Sequence, residues 1–349
     1  MLRKPQSHGL RSLRFISVLG LAIILAPLLL GCANPQTGTP KSGAPQVSAG
    51  QVEPPLSKMA SPDYGLQAFV WGQYDTTERD LKLVKDAGFG WVKIMFQWDW
   101  IEKAKGQFEW NEPDRLTRIA SDMGLKVMAR VDFAPQWARA PGANMGVNGP
   151  PAKYQDYFDF VGALARRYAG KISAYQIWNE PNLAREWDGR APNATEYNAL
   201  LKGAYQAIKA SDPNAIVISA GLSPTTAQPP TAVPDVQYLQ QMYAAGAKDY
   251  FDMLGVHAAG YKATPEADPA DVARDPVLTN NDPSSEQLKR TYSFRHVEDY
   301  RQTMVDQGDQ NKRIAILEFG WTSDPRPGSP YAWFAVSEEQ KAEYIVRAY

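Results

Sequence analysis

The chain has 349 residues, 44% of them hydrophobic and 21% charged, with a formal net charge of −1 and one cysteine. These proportions exclude global disorder. The lack of a basic excess removes the electrostatic footprint of a nucleic-acid binder, and a lone cysteine excludes an intramolecular disulfide.

The N-terminus reads as a targeting segment. Arg3, Lys4, Arg11 and Arg14 precede an apolar run over 15–30 that is short for a membrane-spanning helix. The run ends in Leu29-Leu30-Gly31-Cys32, which resembles a bacterial lipobox. Residues 1–31 are therefore expected to be a lipoprotein signal peptide, with Cys32 the acylated residue. Cleavage there would leave 33 basic against 38 acidic residues. Residues 32–60 are rich in Pro, Gly, Ser, Thr, Gln and Ala, the composition of a flexible tether. The expectation is a protein held by its lipid alone at the cell surface or the periplasmic face of a bacterial membrane.

From Gly65 onward short apolar runs alternate with amphipathic segments. Strands are predicted over 67–71, 91–97, 126–132, 172–178, 215–220, 251–257 and 313–318. Most are continuous apolar runs, as parallel strands covered on both faces require. A helix candidate follows each. Asp75 with Glu78 reads as a capping box before the first helix, with Gly88 as its stop. Asn193 with Glu196 opens a helix whose apolar positions Tyr197, Leu200, Leu201, Ala204, Tyr205 and Ile208 share one face. Ser337 with Gln340 opens the last, over 337–348. No Gly-rich dinucleotide fingerprint and no Walker loop occurs. The alternation predicts an α/β fold, a (β/α)8 TIM barrel over 61–349. The count reaches seven, so the expectation is a barrel truncated before strand eight, or else closed by residues 60–66.

Two carboxylates end apolar strands: Glu180 in Ile177-Trp178-Asn179-Glu180-Pro181, and Glu318 in Ile316-Leu317-Glu318-Phe319-Gly320-Trp321. Desolvating a charge costs several kcal/mol unless it has a task or a partner. Barrel enzymes carry their catalytic groups at the C-terminal ends of strands. A carboxyl pair about 5–5.5 Å apart can cleave a glycosidic bond with retention, and like charges at that range raise the pKa of one member. The pair thus predicts one carboxyl that stays protonated near neutral pH.

Trp178-Asn179-Glu180-Pro181 resembles the strand-four motif of glycoside hydrolase clan A, and Glu318-Phe319-Gly320-Trp321 resembles its strand-seven motif. Phe96-Gln97-Trp98, Trp100-Ile101-Glu102, Gly106-Gln107-Phe108-Glu109-Trp110 and Ala134-Pro135-Gln136-Trp137 are similar to segments of family 39 and neighbouring family 5 members. The resemblance implies a retaining glycoside hydrolase that cleaves β-glycosidic bonds of a polysaccharide or oligosaccharide by double displacement. Glu318 would be the nucleophile and Glu180 the acid/base, with Asn179 on the sugar 2-hydroxyl. Two other readings stand beside it: a non-catalytic carbohydrate-binding surface lipoprotein on the same barrel, and a transglycosylase.

His257 ends strand six and is expected in the cleft. Relatives place a tyrosine closer to that histidine to orient the nucleophile; Tyr261 is the counterpart here. Strand two carries Lys93 where many family 5 members have arginine. Trp137, Trp187 and Trp321 are expected sugar platforms, as is one of Trp98 and Trp100. Asp132, at the end of strand three, is expected on a sugar hydroxyl. The segment 261–293 is expected to be a lid or cleft wall. No metal site or cofactor is predicted. The only partners expected are a carbohydrate and, through the lipid, a membrane; the chain is expected to be a monomer.

Overall fold

The computed structural model describes residues 63–349. The predicted signal peptide, Cys32 and the tether lie outside the described residues. Seven strands form one parallel sheet, each in the order of the chain. They are β1 (Gly65–Gln67), β2 (Trp91–Met95), β3 (Lys126–Val131), β4 (Ile172–Ile177), β5 (Ile216–Ile218), β6 (Met253–Ala259) and β7 (Arg313–Gly320). The helices that follow them are α1 (Thr77–Asp86), α2 (Asn111–Asp122), α3 (Tyr154–Arg167), α4 (Ala194–Ser211), α5 (Asp235–Ala244), α6 (Val297–Asp306) and α7 (Glu338–Ala348). This is (β/α)8-barrel architecture with seven strands among the described residues. β1 and β7 form the two edges and do not pair with each other. The Tyr349 ring packs edge-on against Phe319 of β7 and Tyr64 beside β1, and its hydroxyl donates to the Gly65 carbonyl at 3.1 Å.

Alternation along each strand sorts the core into two layers. Side chains pointing outward, such as Val92, Ile94, Val127, Ala129, Val131, Tyr175, Ile177, Val217 and Leu254, meet Leu81, Leu116, Phe160, Leu164, Leu200 and Leu239 of the helices. Those pointing inward, Trp91, Ala174, Ile216, Ile218, Met253 and Leu317, make a smaller apolar floor inside the barrel. The next inward positions toward the strands' C-terminal ends are polar: Lys93, Arg130, Gln176 and His257.

The Ser337 capping box forms as predicted, each partner bonding the other's backbone. Asn193 caps α4 by accepting from Thr195 and Glu196, but the Glu196 carboxylate turns to Trp187 and Arg190 instead of closing the box. The box expected at Asp75 does not form. α1 starts one residue later than that cap implies, at Thr77, with Thr76 at the cap position and no side-chain cap bond. A short antiparallel hairpin, Glu102–Ala104 with Gln107–Phe108, escaped prediction because its strands are too short to show a period.

Candidate active site

The site is built where β4 and β7 end. Beyond Ile177 the chain enters the left-handed region twice without glycine, at Trp178 (φ 69°) and Glu180 (φ 42°). Such geometry costs about 1–3 kcal/mol per residue and persists only when the surroundings over-determine it. Here the Trp178 amide donates to the Val131 carbonyl at 3.1 Å, and its indole to the Glu186 carbonyl at 3.1 Å. Gln176 Nε2 donates to the Trp178 carbonyl at 2.9 Å and to Asn179 Oδ1 at 3.3 Å. The Glu180 amide donates to the Gly221 carbonyl at 3.0 Å. The hydroxyls of Tyr157 and Tyr197, from α3 and α4, hold the carbonyls of Val131 and Ile177 at 2.7 and 3.0 Å.

Glu318 is aimed by an irregularity in β7. The pairing of β6 with β7 slips between Val256 and His257, so that His257 lies level with Glu318 and one extra residue, Leu317, is taken up by β7. Such a bulge re-aims the side chain that follows it. Leu317 stays in the apolar floor while Glu318 joins the polar layer above.

One imidazole connects the two carboxylates. Glu180 Oε1 accepts from His257 Nδ1 at 3.1 Å, and His257 Nε2 lies 3.7 Å from Glu318 Oε1. A Cβ at position 221 would collide with the His257 ring, so Gly221 is what makes room for it. Around Glu318, Lys93 Nζ donates to Oε1 at 3.1 Å and Arg130 Nη1 stands 3.6 Å from the same oxygen. Arg185 Nη2 donates to Glu180 Oε2 at 2.7 Å.

These neighbours set the charge. Burial pushes Glu180 up, but the His257 bond and the Arg185 guanidinium outweigh it and hold the carboxyl at about 2. Glu318 is likewise raised by burial and brought below the usual carboxylate range by His257, Lys93 and Arg130. The expectation that mutual repulsion leaves one of the pair protonated is therefore corrected for the free protein: each carboxylate has its own cations, and they win. Burial lowers the Lys93 ammonium despite its pairing with Glu318. The third carboxyl of the site, Glu186, is pushed up to about 7 by burial, with Asp132 and Glu180 adding to the rise and the Asn148 amide opposing it.

Several expected site residues are placed elsewhere. Trp98 is fully buried, stacked on Phe160 at 5.4 Å, with its indole donating to Glu102. Trp187 is fully buried between Trp178 and Tyr197. Trp321 is 6% exposed and donates to the Ala263 carbonyl at 2.7 Å. All three are core residues and not sugar platforms. Trp137 is half-buried, edge-on to Trp98, with its indole donating to the Glu102 carbonyl at 3.0 Å; Trp100 packs on Trp71. Asp132 is wholly buried and accepts from Arg130 Nε at 2.7 Å, a structural ion pair in place of a sugar contact. Tyr261 does not reach Glu318. Its hydroxyl donates to the Pro224 carbonyl at 3.4 Å, and its ring packs with Tyr292, Trp333 and Phe334. Lys93 and Arg130 stand beside Glu318 where Tyr261 was expected. Asn179 is buried beside Glu180.

Arg130, Arg185 and Glu186 went unnoticed in the sequence. Arg130 had a signal, since Arg130 and Asp132 are both charged at alternate positions of an apolar strand and so face inward together. Arg185 and Glu186 had none; they sit in a single turn, Ala184–Glu186. The segment 261–293, expected as a lid or cleft wall, contains two short helices, Pro269–Arg274 and Glu286–Lys289.

A family model described as Cellulase (glycosyl hydrolase family 5) matches residues 52–327. Among solved structures, a family 39 glycoside hydrolase from the gut symbiont Bacteroides cellulosilyticus WH2 is 17% identical, with a TM-score of 0.53 over 82% of this chain and 52% of that one. A β-galactosidase from the psychrophilic Marinomonas ef1 is 14% identical, with a TM-score of 0.54 over 82% of this chain and 52% of that one. A glucosidase from Croceicoccus marinus is 14% identical, with a TM-score of 0.50 over 77% and 52%. The chain spans about half the length of each of these three structures. At such identities the likeness is one of fold.

Proposed function

The chain belongs to the Cellulase family, glycosyl hydrolase family 5, and we propose that it is a retaining glycoside hydrolase acting on β-linked polysaccharides or oligosaccharides. The observation that carries this reading is the pair Glu180 and Glu318, on the two nitrogens of one histidine at the mouth of the barrel.

Glu318 is the nucleophile in this reading. Lys93, Arg130 and His257 keep it ionised, and all three contacts fall on Oε1, which leaves Oε2 to attack the anomeric carbon. Attack forms the bond from Glu318 to the sugar and breaks the glycosidic C–O bond, while Glu180 gives its proton to the departing oxygen. In the second step Glu180 takes a proton from water. The water oxygen bonds the anomeric carbon, and the bond to Glu318 breaks with overall retention. Asn179, next to Glu180, is assigned to the sugar hydroxyls. Lipid attachment at Cys32 belongs to the same reading and rests on the sequence alone.

A glycan panel with the first product followed by NMR tests it. Release of a β-anomer from a β-linked substrate is expected; an inverted first product overturns double displacement. Tight binding of a glycan without release overturns the hydrolase reading in favour of a binding protein.

A further inference from the structure

We propose that Arg185 is a positioning residue that exchanges Glu180 for Glu186 as the leaving-group sugar enters, freeing Glu180 to take up the proton it delivers. The inference rests on the acid/base role proposed for Glu180.

The guanidinium lies between the two carboxyls, with Nη2 2.7 Å from Glu180 Oε2 and Nε 3.8 Å from Glu186 Oε1. Both oxygens of Glu180 are engaged, Oε1 by His257 and Oε2 by Arg185. With a ring nitrogen on one oxygen and a guanidinium on the other, the carboxyl is held in its ionised form, yet cleavage of an unactivated glycoside needs a proton on it. One partner must leave. The His257 side chain is 4% exposed and wedged against Gly221, whereas that of Arg185 is 65% exposed. Arg185 is the one that can move.

Glu186 is placed to receive it. Its side chain is 13% exposed and accepts from Asn148 Nδ2 at 3.0 Å. Burial holds it up at about 7, so near neutral pH about half of the molecules carry a proton there while the guanidinium sits on Glu180. The exchange balances. As Arg185 arrives, Glu186 releases to solvent the proton it holds; as Arg185 leaves, Glu180 takes one from solvent; where Glu186 starts protonated the number of charges in the cleft stays the same. The groups in electrostatic reach of Glu180 are His257, Arg185, Glu186, Glu318, Tyr261 and Tyr300, and Arg185 also senses Tyr331. Among them Arg185 alone is a cation on a largely exposed side chain.

The test compares wild type, Arg185→Met and Glu186→Gln on cellotetraose and on 2,4-dinitrophenyl β-cellobioside, whose leaving group departs without a proton. With Arg185→Met the basic limb of kcat/KM on cellotetraose should move to higher pH by about one unit or more, because the free enzyme loses the guanidinium. The basic limb of kcat, which reports the loaded enzyme, should move less. Glu186→Gln should lower kcat/KM on cellotetraose at pH 7 by about tenfold, and more than on the dinitrophenyl substrate. Carboxyl ¹³C NMR of glutamate-labelled protein should show Glu180 titrating higher in Arg185→Met than in wild type. Equal losses on both substrates, or an unmoved Glu180 titration, overturn the exchange. Wild type that cleaves neither of these sugars nor any member of the glycan panel overturns the hydrolase reading beneath it, while the NMR titration still decides whether Arg185 governs Glu180.

Discussion

The carboxylate of Glu180 accepts from Nδ1 of His257 at 3.1 Å, a contact between residues 77 apart in the chain. Because the far nitrogen of that ring stands 3.7 Å from Glu318 Oε1, one side chain fixes the position of both glutamates. His257→Gln is expected to lower kcat/KM on the order of 10²-fold. It should also move the acidic limb of the pH profile upward, because both carboxylates lose a neighbour that keeps them ionised. A profile unchanged in shape would show that the ring only packs.

The two glutamates are separable by chemical rescue. Glu318→Gln should cut turnover by about 10³-fold or more while an oligosaccharide still binds by calorimetry. Glu180→Ala should keep measurable turnover of a dinitrophenyl glycoside. Added azide should speed that turnover and yield a β-glycosyl azide. An α-azide would exchange the two roles.

Lys93 is buried and shares Glu318 with Arg130. Lys93→Met removes the nearer cation, so the Glu318 carboxyl should rise and the acidic limb of kcat/KM should shift up by about one pH unit. Lys93→Arg should restore most of the profile. The pH dependence of both variants, measured side by side, checks this.

His296 is buried between Asp235 and Asp299, each 2.8 Å from one of its ring nitrogens. Burial pulls its pKa down, but the two carboxylates prevail and raise it to about 9. A raised pKa contributes stability that is fully present below the unfolded value of about 6.5 and is lost as pH climbs toward 9. Wild type should therefore lose on the order of 3 kcal/mol between about pH 6.5 and 9 from this group. His296→Gln should be less stable at pH 6 and show a flatter dependence. Denaturant melts across that range measure both.

Trp98 is core and not a platform. Trp98→Ala should cost about 3–5 kcal/mol of stability through the cavity it leaves. Trp98→Phe should recover much of that, with KM for oligosaccharides close to wild type. A raised KM at unchanged melting temperature would return Trp98 to the cleft.

All seven strands were legible because parallel strands buried on both faces must be continuous apolar runs, and turns and helices interrupt them at regular distance. The ends of the other six shifted by no more than two residues, whereas β1 ends at Gln67, four residues before the end expected for 67–71. Glu180 and Glu318 were legible for the same reason, as charges at the ends of apolar runs. The tryptophans were not. Trp98, Trp187 and Trp321 follow strands just as a platform would, but whether an indole faces solvent or core depends on rings such as Phe160, Tyr197 and Phe294 brought in from other elements.

By itself the sequence determined the order of strands and helices and the two carboxylates that the strands carry to one end of the barrel, since hydrophobic period and local breakers are written along the chain. Only the tertiary structure decided how those carboxylates are charged. Ionisation depends on which cations and hydrogen-bond donors lie within a few ångströms, and Lys93, Arg130, Arg185 and His257 come from four different segments. A bulge in β7 and two left-handed residues after β4 bring them together.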